Sequence, residues 1–147
     1  MQDYTKDCAF IPQLECASVE DAVRTLVNEL VAVGDVTDGP GLIDEVMRRE
    51  VEGTTAIGDG LVIPHARFAG VRRVRLAVAT LASALDIPAE DGRPVDVIIV
   101  LVGPPDDSRR MLQVLARLAR LVKRPPFLDR LRQASTSADL RRAFETI

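Results

Sequence analysis

Gly53-Thr54-Thr55-Ala56-Ile57-Gly58-Asp59-Gly60-Leu61-Val62-Ile63-Pro64-His65-Ala66-Arg67 packs glycines, paired hydroxyls and the only histidine of the chain into one short stretch. Histidine is the side chain whose ordinary titration lies nearest neutrality, so a single copy set directly after a proline is a candidate for chemistry. Pro64 has its φ fixed and biases Ile63 toward extended backbone. Leu61-Val62-Ile63 therefore reads as a short buried strand whose end presents His65 from a stiff bend. Such a mount suits a nucleophile. The plain alternative, a half-buried turn histidine, is weakened by the residues around it.

Working outward, Val74 to Leu81 is rich in β-branched and small residues and predicts another strand. Asp91-Gly92-Arg93-Pro94 signals a turn, and Val95 to Val102 reads as a strand buried on both faces, the centre of a sheet. Gly103-Pro104-Pro105 ends it, and Asp106, Asp107 and Ser108 offer caps for a helix carrying Met111, Leu112, Leu115, Leu118, Ala119 and Val122 on one stripe. That helix ends before Pro125-Pro126. Two short helices follow, Phe127 to Gln133 and Ala138 to Thr146, the second with Ser137 as its cap.

Upstream, Ala9 to Glu15 predicts a short strand in which Pro12 suits a sheet edge. Ser18 and Asp21 resemble a capping box, after which Ala22, Val23, Leu26, Val27, Leu30 and Val31 recur at helical spacing until Gly34. Asp38-Gly39-Pro40 opens a second helix with Leu42, Ile43, Val46 and Met47 on one face and Arg48, Arg49 and Glu50 near its C-terminal end, where cations suit the helix dipole. Strands mixed with covering helices, without repeat or linker, predict a single α/β domain over residues 1–147, a sandwich of a mixed β-sheet flanked by α-helices.

Composition narrows the function classes. The 147 residues suit one domain with a sizeable core, and with no Trp, one Tyr and four Phe there is no stacking surface for nucleic acid. The net charge of −3 hides an asymmetry: residues 1–105 carry 17 acidic and 9 basic side chains, residues 106–147 carry 5 and 10. Such an imbalance can orient a partner, although a solvated helix face is its plainer reading. Cys8 and Cys16 lack metal-ligand spacing and read as packing residues, so neither metal nor cofactor is expected. No apolar run spans a bilayer and no signal-peptide core is present, which predicts a cytoplasmic protein without membrane insertion.

Arg49-Glu50, the run Thr54 to Arg67, and Asp91-Gly92-Arg93-Pro94-Val95-Asp96 with its apolar strand together resemble the fructose/mannitol/nitrogen-regulatory type of enzyme IIA domain of the bacterial phosphoenolpyruvate-dependent phosphotransferase system. The likeness covers nearly the whole chain. It implies that His65 accepts a phosphoryl group from a histidine-containing phosphocarrier protein, and that sugar-importing relatives pass it to a cysteine of enzyme IIB. The residues agree with that chemistry, because phosphoryl transfer asks mainly for in-line positioning and donors around the equatorial oxygens. Arg49 can grip two oxygens with its planar fork, and the Thr54 and Thr55 hydroxyls can add hydrogen bonds.

One position departs from the family pattern. Many members have a second histidine where this chain has Met111, and methionine neither shares a proton nor donates to phosphate. Helical periodicity makes Met111 a core residue, and His65 remains as the phosphohistidine candidate. The expectation is a stand-alone regulatory, nitrogen-type phosphocarrier. Its rivals are a sugar-import enzyme IIA and a non-catalytic interaction module of the same fold that binds a transporter, kinase or regulator.

Overall fold

The computed structural model describes residues 8–52, 56–87 and 91–145. In chain order its elements are β1 (Ala9–Leu14), α1 (Val19–Val33), α2 (Gly39–Glu52), β2 (Ala56–Gly58), β3 (Leu61–Val62), β4 (His65–Arg67), β5 (Arg75–Leu85), β6 (Val95–Gly103), α3 (Ser108–Leu121), α4 (Pro125–Gln133) and α5 (Ser137–Glu145). The strands form one mixed sheet in the order β1-β5-β6-β3-β2, with β4 also paired to β6.

The apolar run of β6 forms the middle of this sheet because it can be covered on both sides. Val97, Ile99 and Leu101 face α3, α4 and α5, while Ile98, Val100 and Val102 face α1 and α2. Burial of each such side chain is worth about 2 kcal/mol, so β6 is a firm reference line for whatever pairs with it. The outcome is the expected sandwich of a mixed sheet between two helical layers.

Local signals set the helix boundaries. The Ser18 hydroxyl accepts from the Asp21 amide at 3.1 Å, while the Asp21 carboxylate accepts from the Ala17 amide at 3.0 Å, and Gly34 closes α1 with φ 97°. Asp38 caps α2 by accepting from the Gly41 amide. At α4 the prolines do not merely precede the helix: Pro125 and Pro126 form its first turn, where a missing N–H costs nothing. The cap expected at Ser137 is instead Thr136, whose hydroxyl accepts from the Asp139 amide at 3.1 Å. Ser137 lies inside α5 and donates to the Phe10 carbonyl at 2.7 Å, so its hydroxyl ties the helix to β1.

Pro12 does fall on an edge strand. The pairing of β1 with β5 slips between Ile11 and Leu14, and the buried Thr80 hydroxyl accepts the Gln13 N–H at 2.9 Å. Cys8 is buried in the core and Cys16 half-buried beside α1.

Candidate functional site

The backbone around His65 differs from a bend at a strand end. Leu61 pairs with Val97 and Val62 with Ile98, and beyond the proline His65 pairs with Leu101, Ala66 with Val102 and Arg67 with Gly103, all parallel. The offset between partners is the same on both sides of Pro64. β3 and β4 are thus one line of chain along β6, interrupted where proline has no N–H to give. The Pro64 carbonyl still accepts from the Leu101 amide at 3.0 Å. Strand alternation then sends His65 and Arg67 to the same side as Leu61 and Ile63, the side of α3, and buries Ala66 against the other layer.

On that side lies a cavity of about 180 Å³ lined by Arg49, His65, Ala66, Arg67, Ser108, Met111, Leu112 and Leu115. Three residues singled out in the sequence, Arg49, His65 and Met111, therefore line one cavity. Thr54 and Thr55 lie outside the described residues. A larger open groove of about 400 Å³ borders Arg130, Gln133, Asp139 and Arg142, but no nucleophile lines it.

Each lining group is placed by a traceable cause. The Nδ1 of the half-buried His65 is 2.9 Å from the Ile63 carbonyl oxygen. A carbonyl only accepts, so this hydrogen bond puts the proton on Nδ1 and leaves the lone pair on Nε2. Arg49 stands in the last turn of α2, and its Nε donates to Glu45 Oε1 at 3.3 Å. The Glu45 carboxyl is held below its usual range, first by the Arg48 side chain, which donates at 2.7 Å, and then by Arg49. Arg49 itself is half exposed, at 46% for its side chain. Such exposure lets its outer nitrogens meet an incoming anion.

Two further contributors escaped the sequence reading. Arg67 brings a second guanidinium, steadied by an Nη1 hydrogen bond to the Pro105 carbonyl at 3.3 Å. The signal was present, since residues i and i+2 of a strand share a face. Ser108 begins α3, whose first turn has no acidic residue and whose N-cap Asp107 makes no side-chain capping bond. That carboxylate therefore does not occupy the first-turn amides of α3 beside Ser108, which lines the cavity. Met111 is buried at 7% exposure, in the core as its periodicity demands, and still reaches the cavity wall.

The arrangement sets one imidazole lone pair among two arginines and a helix N-terminus, with an apolar wall from α3. That is a setting for a doubly charged, tetrahedral anion. Among the described residues no group of three or more His, Cys, Asp or Glu side chains could hold a metal ion, and no helix is long and apolar enough to cross a membrane.

Comparison with known proteins agrees with this chemistry. The chain is 33% identical over 130 residues to the PTS system 2-O-alpha-mannosyl-D-glycerate-specific EIIABC component of Escherichia coli (strain K12), covering 87% of this chain but 20% of that protein. It is 35% identical over 103 residues to a nitrogen regulatory protein of Pseudomonas aeruginosa, covering 70% of this chain and 67% of that one. The crystal structure of the nitrogen regulatory protein IIA-Ntr from Neisseria meningitidis superposes with a TM-score of 0.81 at 25% identity, covering 91% of this chain and 92% of the other. The model of the family "Phosphoenolpyruvate-dependent sugar phosphotransferase system, EIIA 2" matches residues 4–146, and the chain belongs to that family of phosphocarriers.

Proposed function

We propose that His65 is the phosphoryl acceptor of this chain and that its donor is a histidine-containing phosphocarrier protein. The observation that carries this reading is the bond from Nδ1 to the Ile63 carbonyl, which aims an available Nε2 lone pair into a cavity bordered by Arg49 and Arg67. In the step, Nε2 attacks the phosphorus of the donor phosphohistidine in line. An Nε2–P bond forms, the donor's N–P bond breaks, and the electron pair of that bond returns to the donor imidazole. Arg49 and Arg67 balance the charge on the equatorial oxygens, and the N-terminus of α3 adds its positive field.

Within the family we assign the chain a regulatory, nitrogen-type role. Its likeness to two nitrogen regulatory proteins supports this, and the target would then be a transporter, kinase or other regulator. The likeness to a sugar-specific EIIABC component favours a second reading, in which His65 hands the group to a cysteine of enzyme IIB. Both readings share the same first step.

The test is incubation with phosphorylated carrier followed by phosphorus NMR. An acid-labile phosphohistidine on His65 is expected. No label, with the carrier shown competent in parallel, would instead favour an interaction module that keeps the fold without the chemistry.

A further inference from the structure

The end of the sheet away from His65 holds a second cleft. Two adjoining hollows of about 200 Å³ each lie between the turn that joins β2 to β3 and the corner where α3 passes into α4. Both border Asp59, Val122, Lys123 and Leu128. Leu61 also lines the cleft and pairs with Val97, whereas His65 pairs with Leu101, four residues further along β6 and about 13 Å away by strand geometry. No residue lining this cleft lines the His65 cavity.

Its walls are tied in place from several directions. Arg132 donates through Nε to the Asp96 carboxylate at 2.9 Å and through Nη2 to the Asp59 carbonyl. The Asp59 amide donates to the Asp91 carboxylate at 2.8 Å, and the Asp59 carboxylate pairs with Arg93 at 3.4 Å. Such a cleft is ready for a ligand without rearrangement.

The two hollows differ in character. One is floored by Leu61, Val122 and Leu128, which are buried, with Ala119 exposed at its edge. The other is bordered by Arg93, Arg132, Asp59 and Asp129. Within it Arg93 is matched by Asp59, and Arg132 by Asp96. That leaves Lys123 and Asp129, one cation and one anion, whose side chains enter no ion pair among the described residues. Lys123 stands where the hollows meet, and Asp129 borders the polar one alone.

We propose that this cleft binds a free aliphatic α-amino acid as its zwitterion. The carboxylate meets Lys123 at the junction, the ammonium meets Asp129, and the side chain covers Leu61, Val122 and Leu128. A nucleotide or polyphosphate fits poorly, because its charge would face Asp59 and Asp129 and no aromatic ring lines the cleft among the described residues. A sugar fits poorly too, since among the described residues no Asn, Gln, Ser or Thr side chain lines it. Phosphoryl transfer at His65 plays no part in this recognition, so the two readings stand or fall separately.

The experiment titrates L-leucine into the full nitrogen-15-labelled chain and follows its amide shifts. Saturable shifts are expected at Asp59, Val122, Lys123 and Leu128, with Arg67 and Leu112 of the His65 cavity unmoved. Isocaproate, which lacks the ammonium, and isoamylamine, which lacks the carboxylate, should each bind at least about tenfold more weakly, because one charged contact is lost. Lys123→Ala should weaken leucine by about the same factor while leaving isoamylamine unchanged, and Asp129→Ala should weaken leucine while leaving isocaproate unchanged. Both side chains are exposed, so these variants should unfold at the wild-type midpoint. Four results overturn the proposal: no saturable shift up to the solubility of leucine, shifts centred elsewhere, isocaproate or isoamylamine bound as tightly as leucine, or either variant binding leucine as wild type does.

Discussion

The Nδ1 of His65 sits 2.9 Å from the carbonyl oxygen of Ile63, two residues earlier in the same line of chain. Pairing with β6 keeps the same register on both sides of Pro64, so His65 stands in line two residues after Ile63. The Nδ1 contact predicts the site of modification within the ring. Phosphorylated protein should carry the group on Nε2, with Nδ1 still protonated, as read from nitrogen-15 couplings of the imidazole. A phosphoryl group on Nδ1 would need the Ile63 bond to break and would refute the proposed geometry. His65→Ala should take no label while keeping the fold.

Arg49 is oriented through Nε by Glu45, and among the described residues no partner takes its two outer nitrogens. Lysine would keep the charge but lose the fork, so Arg49→Lys should slow transfer to His65 by on the order of 10²-fold, a cautious figure beside the gains attributed to phosphoryl-stabilising arginines. Its unfolding midpoint should stay near wild type, because the side chain is half exposed. Unchanged transfer would reduce Arg49 to a structural cation at a helix end, leaving Arg67 as the guanidinium to test next.

Met111 lines the cavity while packing in the core beside Gly103. Met111→His should speed carrier-dependent labelling by about tenfold if a second proton-sharing group limits transfer. It should also lower stability by about 1 kcal/mol, since part of a polar ring enters an apolar cluster. A stability loss with no gain in rate would show the position to be packing alone.

Much of this site was legible because strand and helix periodicity are local properties. The apolar run Val95 to Val102, the stripe of α3 and the stop at Gly34 all follow from side-chain order, and so does the side on which Arg67 joins His65. What was hidden depended on distant partners. Nothing near Ser137 announces that its hydroxyl is taken by Phe10, or that Thr136 then becomes the cap. The continuity of β3 and β4 is likewise a property of β6: a proline read alone suggests a bend, whereas pairing on both sides of it keeps the line straight. The Arg132 pair with Asp96, at 2.9 Å, and its bond to the Asp59 carbonyl join segments that no short window connects.

Asp35 and Arg75 form another such distant pair, with Oδ2 and Nε 2.7 Å apart and side chains only 14% and 9% exposed. Removing one partner leaves the other charged and poorly solvated, so Asp35→Ala should cost about 3 kcal/mol in urea unfolding. Replacing both, as Asp35→Leu with Arg75→Met, should recover much of that loss. If the single variant unfolds at the wild-type midpoint, water reaches the guanidinium and the pair contributes little.

The Asp91 carboxylate accepts from the Asp59 amide at 2.8 Å and the Arg93 amide at 3.1 Å, tying the turn between β2 and β3 to the start of β6. These two backbone donors, the Asp59 amide foremost, hold the Asp91 carboxyl below its usual range. The folded state therefore favours the ionised form. Its contribution is present in full above the ordinary carboxylate range and is lost as pH falls through the lowered value. The Asp59 amide should accordingly shift and exchange faster in acid, with a midpoint below that of an unperturbed aspartate, and Asp91→Asn should abolish the step. An Asp59 amide that titrates at the ordinary carboxylate value, or does not titrate, would mean that the contact fails in solution and that the turn is held mainly by Arg132.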